Sequence, residues 1–130
     1  MAESIVRHSR SAPVNLTGDT ELDEAAAILA ISDLAICNDM GLAHLAPALG
    51  TPTIVIFGPT DPTNTSPFSA DADVIRKKVA CAPCLHRTCP IDHRCMTGIT
   101  TDEVFRAAAA KMNEIEEPEP VETAGYIHRP

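Results

Sequence analysis

The run Leu34-Ala35-Ile36-Cys37 is uncharged and apolar, and it delivers Asn38-Asp39 into a glycine turn at Gly41. A short Ala/Leu-rich stretch closed by Gly50 follows, then a second apolar run from Thr53 to Phe57 that ends at Gly58-Pro59. Strand, glycine turn, helix, strand is a βαβ unit, and the helix crossover makes its two strands parallel. The two turns then lie at the same edge of the sheet, where α/β folds bind ligands. A helix that opens at such a turn offers unpaired N–H groups and the positive end of its dipole, so it can hold an anion such as a diphosphate. The pattern points to a nucleotide-linked substrate.

The remaining elements agree with this class. Thr20 to Ile31 reads as a helix, with Asp19 or Thr20 at its start and Ala25, Ile28, Leu29 and Ser32 on one face. Leu34–Cys37 has the pattern of a parallel strand buried on both faces. Leu42–Leu49 is a helix stopped by Gly50, and Thr53–Phe57 is the clearest strand, β-branched and uncharged. Gly58–Ser69 holds three prolines and reads as an ordered loop rather than a helix. Val74–Val79 reads as an edge strand with lysines, and Cys81–Met96 as a Cys/His/Pro loop. Thr100-Thr101-Asp102-Glu103 is a capping box opening a helix that carries Val104, Phe105, Ala108, Met112 and Ile115 on one face. The fold class expected is α/β, a Rossmann-like parallel sheet with flanking helices.

Composition sharpens this picture. Aromatics are 3% of 130 residues, so the core of a single domain must be built from Ala, Leu, Ile and Val. The net charge is −8, and the last 18 residues supply half of it through Glu114, Glu116, Glu117, Glu119 and Glu122 against Arg129. No basic stripe remains to neutralise phosphates, which argues against nucleic acid as a partner. No apolar run reaches the roughly 18 residues of a membrane span. Met1-Ala2-Glu3-Ser4 is not a secretory leader, so a cytoplasmic location and reduced cysteines are expected. In that setting Asn15-Leu16-Thr17 and Asn64-Thr65-Ser66 are chance matches to the glycosylation pattern.

Three strands fall short of the ~5–6 of a mean sheet. The expectation is therefore an α/β domain over 15–116 that is incomplete at its N-terminal side. Residues 1–14 are then a leader or the remnant of a missing upstream element, and 117–130 an acidic, Pro-rich tail expected to be disordered. An exposed sheet edge would favour self-association.

Three motifs in order carry a resemblance: Asn15-Leu16-Thr17-Gly18, Asp39-Met40-Gly41-Leu42-Ala43-His44-Leu45-Ala46 and Phe57-Gly58-Pro59-Thr60-Asp61-Pro62. In order and spacing they are similar to the Asn-Leu-x-Gly, Asp-(Ser/Thr)-Gly-x-x-His-Leu-Ala and Phe-Gly-Pro-Thr-x-Pro segments of glycosyltransferase family 9, the lipopolysaccharide heptosyltransferases. The Cys-rich loop looks like the heptosyltransferase II branch, and the resemblance covers roughly Asn15 to Lys111. It implies part of the C-terminal, donor-binding domain of a two-domain GT-B enzyme. It implies transfer of heptose from ADP-heptose to a lipopolysaccharide core acceptor, with inversion and without a catalytic metal. The family's acceptor domain, which carries the catalytic carboxylate, has no counterpart here, so this chain is expected to be inactive alone.

The resemblance implies nucleotide-sugar contacts at Asp39, Met40, Gly41, Leu42, His44, Gly58 and Thr60, and no catalytic residue. From the residues alone, Asp39 is an N-cap for the following helix or a carboxylate accepting from a sugar hydroxyl, and with the family match both roles are expected. Gly41 serves either positive φ or close approach to phosphate. His44 is a structural hydrogen-bonder or a donor to a diphosphate oxygen, and Gly58-Pro59-Thr60 a rigid turn or a pocket wall. Met40 departs from the family's Ser/Thr and removes one neutral hydrogen bond, worth about 0.5–1.5 kcal/mol.

Cys81, Cys84, Cys89 and Cys95 have two, four and five residues between them, with His86 and His93 nearby. A structural zinc tetrad is one reading but is not favoured, since the spacing is not that of paired Cys-x-x-Cys knuckles. Reduced thiols packing the loop and an adventitious disulfide are the others, and no cofactor is expected. Cys37 reads as a small apolar core residue. The alternative function is a small Cys/His metal-binding or interaction module without catalysis.

Overall fold

The computed structural model describes residues 2–116. The order is α1 (Ala2–His8), α2 (Leu22–Ala30), β1 (Ala35–Asn38), α3 (Gly41–Ala48), β2 (Thr53–Phe57), α4 (Pro62–Thr65), β3 (Ala72–Arg76), α5 (Arg94–Thr97) and α6 (Thr101–Glu116). The three strands form one sheet in the order β1-β2-β3, parallel throughout. The acidic tail expected over 117–130 lies outside the described residues.

β2 is the heart of the molecule. Its Thr53, Ile54, Val55 and Phe57 are all fully buried, as expected for a central parallel strand. Side chains alternate, so Cys37, Val55 and Phe57 face one side, where they pack on Ala43 of α3. Burying a Val or Phe side chain stabilises by about 1.5–3 kcal/mol each, and this cluster is where that term concentrates. Small alanines let α3 approach closely: Ala43 and Ala46 have no exposed surface. α2 lies against α3 in turn. The buried hydroxyls there are paired, Thr51 Oγ1 donating to Leu29 O (2.7 Å) and Thr53 Oγ1 to Thr51 O (2.8 Å).

Ile36, Asn38 and Ile56 point to the opposite face, where α6 lies over them and leaves an apolar groove of about 590 Å³. Here the structure corrects the sequence. β1 is an edge strand, not a doubly buried one, and Ile36 remains 49% exposed. The face expected on α6 is likewise half used: Val104, Ala108 and Met112 are partly buried, but Phe105 is 73% and Ile115 41% exposed. One helix cannot cover a twisted three-stranded face.

Other boundaries shift for local reasons. α2 starts at Leu22 because Glu24 accepts from the Glu21 N–H (2.9 Å), so Glu21 and not Asp19 or Thr20 is the cap, and Ile28 is exposed. β3 runs over Ala72–Arg76 rather than Val74–Val79, since its parallel register ends where Phe57 of β2 meets Arg76. The Gly58–Ser69 loop contains one helical turn, α4. The segment read as a leader or the remnant of an upstream element contains α1, none of whose residues is buried.

The capping box of α6 is half formed. The Glu103 N–H donates to Thr100 Oγ1 (3.2 Å), but the Glu103 carboxylate turns to Lys77 Nζ at 2.8 Å. Lys111 Nζ adds a second tie to Asp73 Oδ2 of β3 at 3.1 Å. The hydrogen bond from Lys77 holds the Glu103 carboxyl below its ordinary range. A carboxyl depressed on folding contributes stability that is complete above its unfolded pKa and is lost as pH falls through the folded value. We therefore expect α6 to loosen from β3 on acidification from roughly pH 5 to pH 3. Amide protection factors over Thr101–Met112, corrected for the intrinsic pH dependence of exchange, should fall there before those over β2 do, and a simultaneous fall would contradict this.

Candidate functional site

The register that pairs Asn38 with Ile56 brings the chain out of β1 and β2 side by side, with Asp39-Met40 next to Phe57-Gly58. From there β1 turns directly into α3. The cap residue is Met40, extended at φ −159°, and no side chain caps the helix. The Ala43 N–H bonds back to Met40 O (3.0 Å), while the N–H groups of Gly41 and Leu42 have no acceptor among the described residues. The expectation that Asp39 caps the helix is corrected. Its Oδ2 instead accepts a hydrogen bond from Thr65 Oγ1 at 3.1 Å, across to α4.

Gly41 also changes its justification. Its φ is not left-handed, and a Cβ there would meet nothing within 4 Å. Positive φ is excluded, and what remains is an open helix end. His44 is exposed on α3, with no hydrogen bond among the described residues. Met40, Gly41, Leu42 and Leu45 line an apolar cleft of about 400 Å³ with Leu22 of α2. The cleft adjoins the bare helix end, and Met40 is 51% exposed on it.

The facing loop is held by polar contacts that the sequence reading did not identify. Asp61 caps α4, Oδ1 accepting from the Thr63 N–H (3.1 Å) and Oδ2 from Asn64 Nδ2 (3.2 Å), with Pro62 in the first turn. An Asp directly before Pro is a helix-start signal that was available in the sequence. Thr60 Oγ1 is shielded from solvent without a partner among the described residues.

The Cys-rich loop packs onto this turn. The N–H groups of Cys84 and Leu85 both donate to Pro59 O, at 3.0 and 3.1 Å. Leu85 adopts left-handed φ (57°), an uncommon backbone for a bulky residue, in doing so. At Gly58 any Cβ would collide with Met96, whose Cγ would lie 2.9 Å away and whose sulfur closer still. Gly58 thus admits α5 against the end of β2.

The cysteines are free. Among the described residues no three His, Cys, Asp or Glu side chains gather in a way that could hold a metal. Cys95 is buried, and Cys89 Sγ accepts from the His93 N–H at 3.2 Å. Asp92 grips Arg94 with both oxygens, at 2.9 Å each, and that hydrogen bonding lowers its pKa. Burial pushes the Cys37 thiol up, in keeping with its place in the core. The alternative of a metal-binding module finds no support in this geometry.

A three-stranded parallel sheet with flanking helices and a helix opening at its C-terminal edge define an α/β, Rossmann-like domain. Comparison with known proteins narrows the class. The chain belongs to glycosyltransferase family 9 (heptosyltransferase), whose model matches residues 1–94. It is 36% identical over 96 residues to lipooligosaccharide heptosyltransferase 2 of Campylobacter jejuni, covering 72% of this chain and 30% of that protein. Against lipopolysaccharide heptosyltransferase 2 of Escherichia coli K12 it is 44% identical over 62 residues, covering 48% of this chain and 18% of that one. Among solved structures, E. coli ADP-heptose LPS heptosyltransferase II superposes with a TM-score of 0.75 at 28% identity, over 89% of this chain and 34% of that one. The chain thus spans about a third or less of the length of the relatives it matches. Among the described residues no helix is long and apolar enough to cross a membrane.

Proposed function

We propose that this domain binds the nucleotide-sugar donor of a heptosyltransferase, ADP-heptose or a close analogue. The observation that carries the reading is the bare N-terminus of α3, with the Gly41 and Leu42 N–H groups unpaired and the nearest carboxylate drawn aside to Thr65. A diphosphate there completes the orphan donors and meets the positive end of the helix dipole. His44 lies on the same helix and supplies a further donor.

The apolar cleft of Leu22, Met40, Leu42 and Leu45 suits the flat face of a base. Met40 replaces a hydroxyl contact with apolar area at this point. Asp39 has one carboxylate oxygen engaged by Thr65, and the other is available to a sugar hydroxyl. Thr60, whose hydroxyl has no partner among the described residues, and Gly58 lie in the turn after β2, at the same edge of the sheet as the start of α3. An unsatisfied buried hydroxyl costs about 1–3 kcal/mol, so a ligand oxygen at Thr60 would recover part of that cost. In this reading the domain is the donor half of a GT-B enzyme, and the base that activates the acceptor belongs to the other half of the family's architecture.

Calorimetry with ADP and ADP-heptose tests the proposal. One-to-one binding of both, tighter for the sugar nucleotide, is the expected result. No heat with either, for a chain that circular dichroism shows to be folded, would overturn it.

A further inference from the structure

We infer that Thr65 is a positioning residue for the donor sugar, acting through Asp39; the inference rests on the donor-site reading above. Thr65 lies in the one-turn helix α4, outside the three motifs, and is partly buried. Its hydroxyl has a single proton and two acceptors at 3.1 Å: Asp61 O, one turn back, and Asp39 Oδ2 on the far side of the site. The backbone carbonyl is the routine local partner of a helical threonine. The carboxylate is the stronger acceptor, so the proton goes to Asp39.

Two consequences follow from that bond. It fixes the rotation of the Asp39 carboxylate, committing Oδ2 to the protein and presenting Oδ1 to the ligand. It also joins the turn after β1 to the loop after β2, so the two walls of the site keep their spacing. The loop end is itself anchored: Asp61 Oδ1 caps α4 at the Thr63 N–H, Oδ2 accepts from the Asn64 side chain, and Pro62 sets the first turn. Thr65 is therefore held on a short rigid element. Without its hydroxyl, the Asp39 carboxylate is free to rotate, and Oδ1 is no longer held toward the sugar.

The test compares Thr65→Val, Thr65→Ser and Asp39→Asn, alone and combined, by calorimetry with ADP-heptose and with ADP. We expect Thr65→Val to weaken ADP-heptose binding about tenfold and ADP binding by less than threefold. Thr65→Ser should restore the parent affinity, and Thr65→Val should add nothing in the Asp39→Asn background. Should Thr65→Val fail to fold, Thr65→Ala takes its place. Equal loss for both ligands, or additive effects in the double variant, would overturn the inference, since a structural role predicts those. Parent protein that binds neither ligand would instead defeat the donor-site reading itself.

Discussion

Replacing Phe57 by Ala is expected to leave this domain largely unfolded at room temperature. Phe57 is fully buried at the end of the central strand and packs with Val55 and Ala43. Truncating a buried Phe costs about 3–5 kcal/mol, against about 5–15 kcal/mol for the whole stability of an ordinary domain. A three-stranded sheet with one face half covered belongs near the low end of that range, so the loss approaches the total. Urea unfolding followed by circular dichroism measures it, with Ile36→Ala as the comparison. Ile36 is 49% exposed on the uncovered face, and its truncation should shift the midpoint far less. Equal midpoints for the two variants would show that the core does not lie between α3 and β2.

The second large effect is expected from Gly41→Asp, which should weaken binding of ADP about thirtyfold while leaving the fold intact or slightly firmer. Nothing lies within 4 Å of a Cβ at this position, and the backbone is not left-handed, so the side chain fits. An acidic residue in the first turn of a helix stabilises it by about 0.3–1 kcal/mol. The same charge opposes a bound diphosphate. Two like charges about 6 Å apart at an effective dielectric near 20 repel by roughly 2–3 kcal/mol, and 2 kcal/mol corresponds to about thirtyfold in affinity. Stability and binding therefore move in opposite directions. Gly41→Ala, with no charge, separates space from electrostatics: it should cost little in either. If Gly41→Asp binds ADP like the parent, the anion does not sit at the start of α3.

The sequence reading was strongest where a pattern is closed by covalent geometry. Thr53–Phe57 is a strand in both sequence and structure, with the same bounds, because β-branched residues between Pro52 and Gly58 leave little choice. The parallel sense of β1 and β2 follows from a glycine turn and a helix between them. The motifs that carry the family resemblance are likewise local, and the family match agrees with them. What escaped depends on contacts between distant segments. An apolar run such as Leu34–Cys37 cannot tell whether a neighbour will cover it, so Ile36 was expected inside. Nothing local about Asp39 reveals that Thr65, far along the chain, will claim its carboxylate before the helix can. The cysteines invited a metal reading because spacing is visible in sequence and direction is not. In the fold the backbone of their loop, rather than their sulfurs, makes the contact with Pro59.

The close approach of Met96 to Gly58 ties two places that no single motif spans. The room for a side chain at position 58 is whatever position 96 leaves over, so the two cannot drift independently. A family member that gains even a methyl group at the first must shorten or redirect the second, or else push the Pro59 turn off the Cys-rich loop. Substitutions at this pair are thus expected as matched exchanges through descent, with single changes rare. The Cys-rich loop is in this sense bound to the history of the turn after β2.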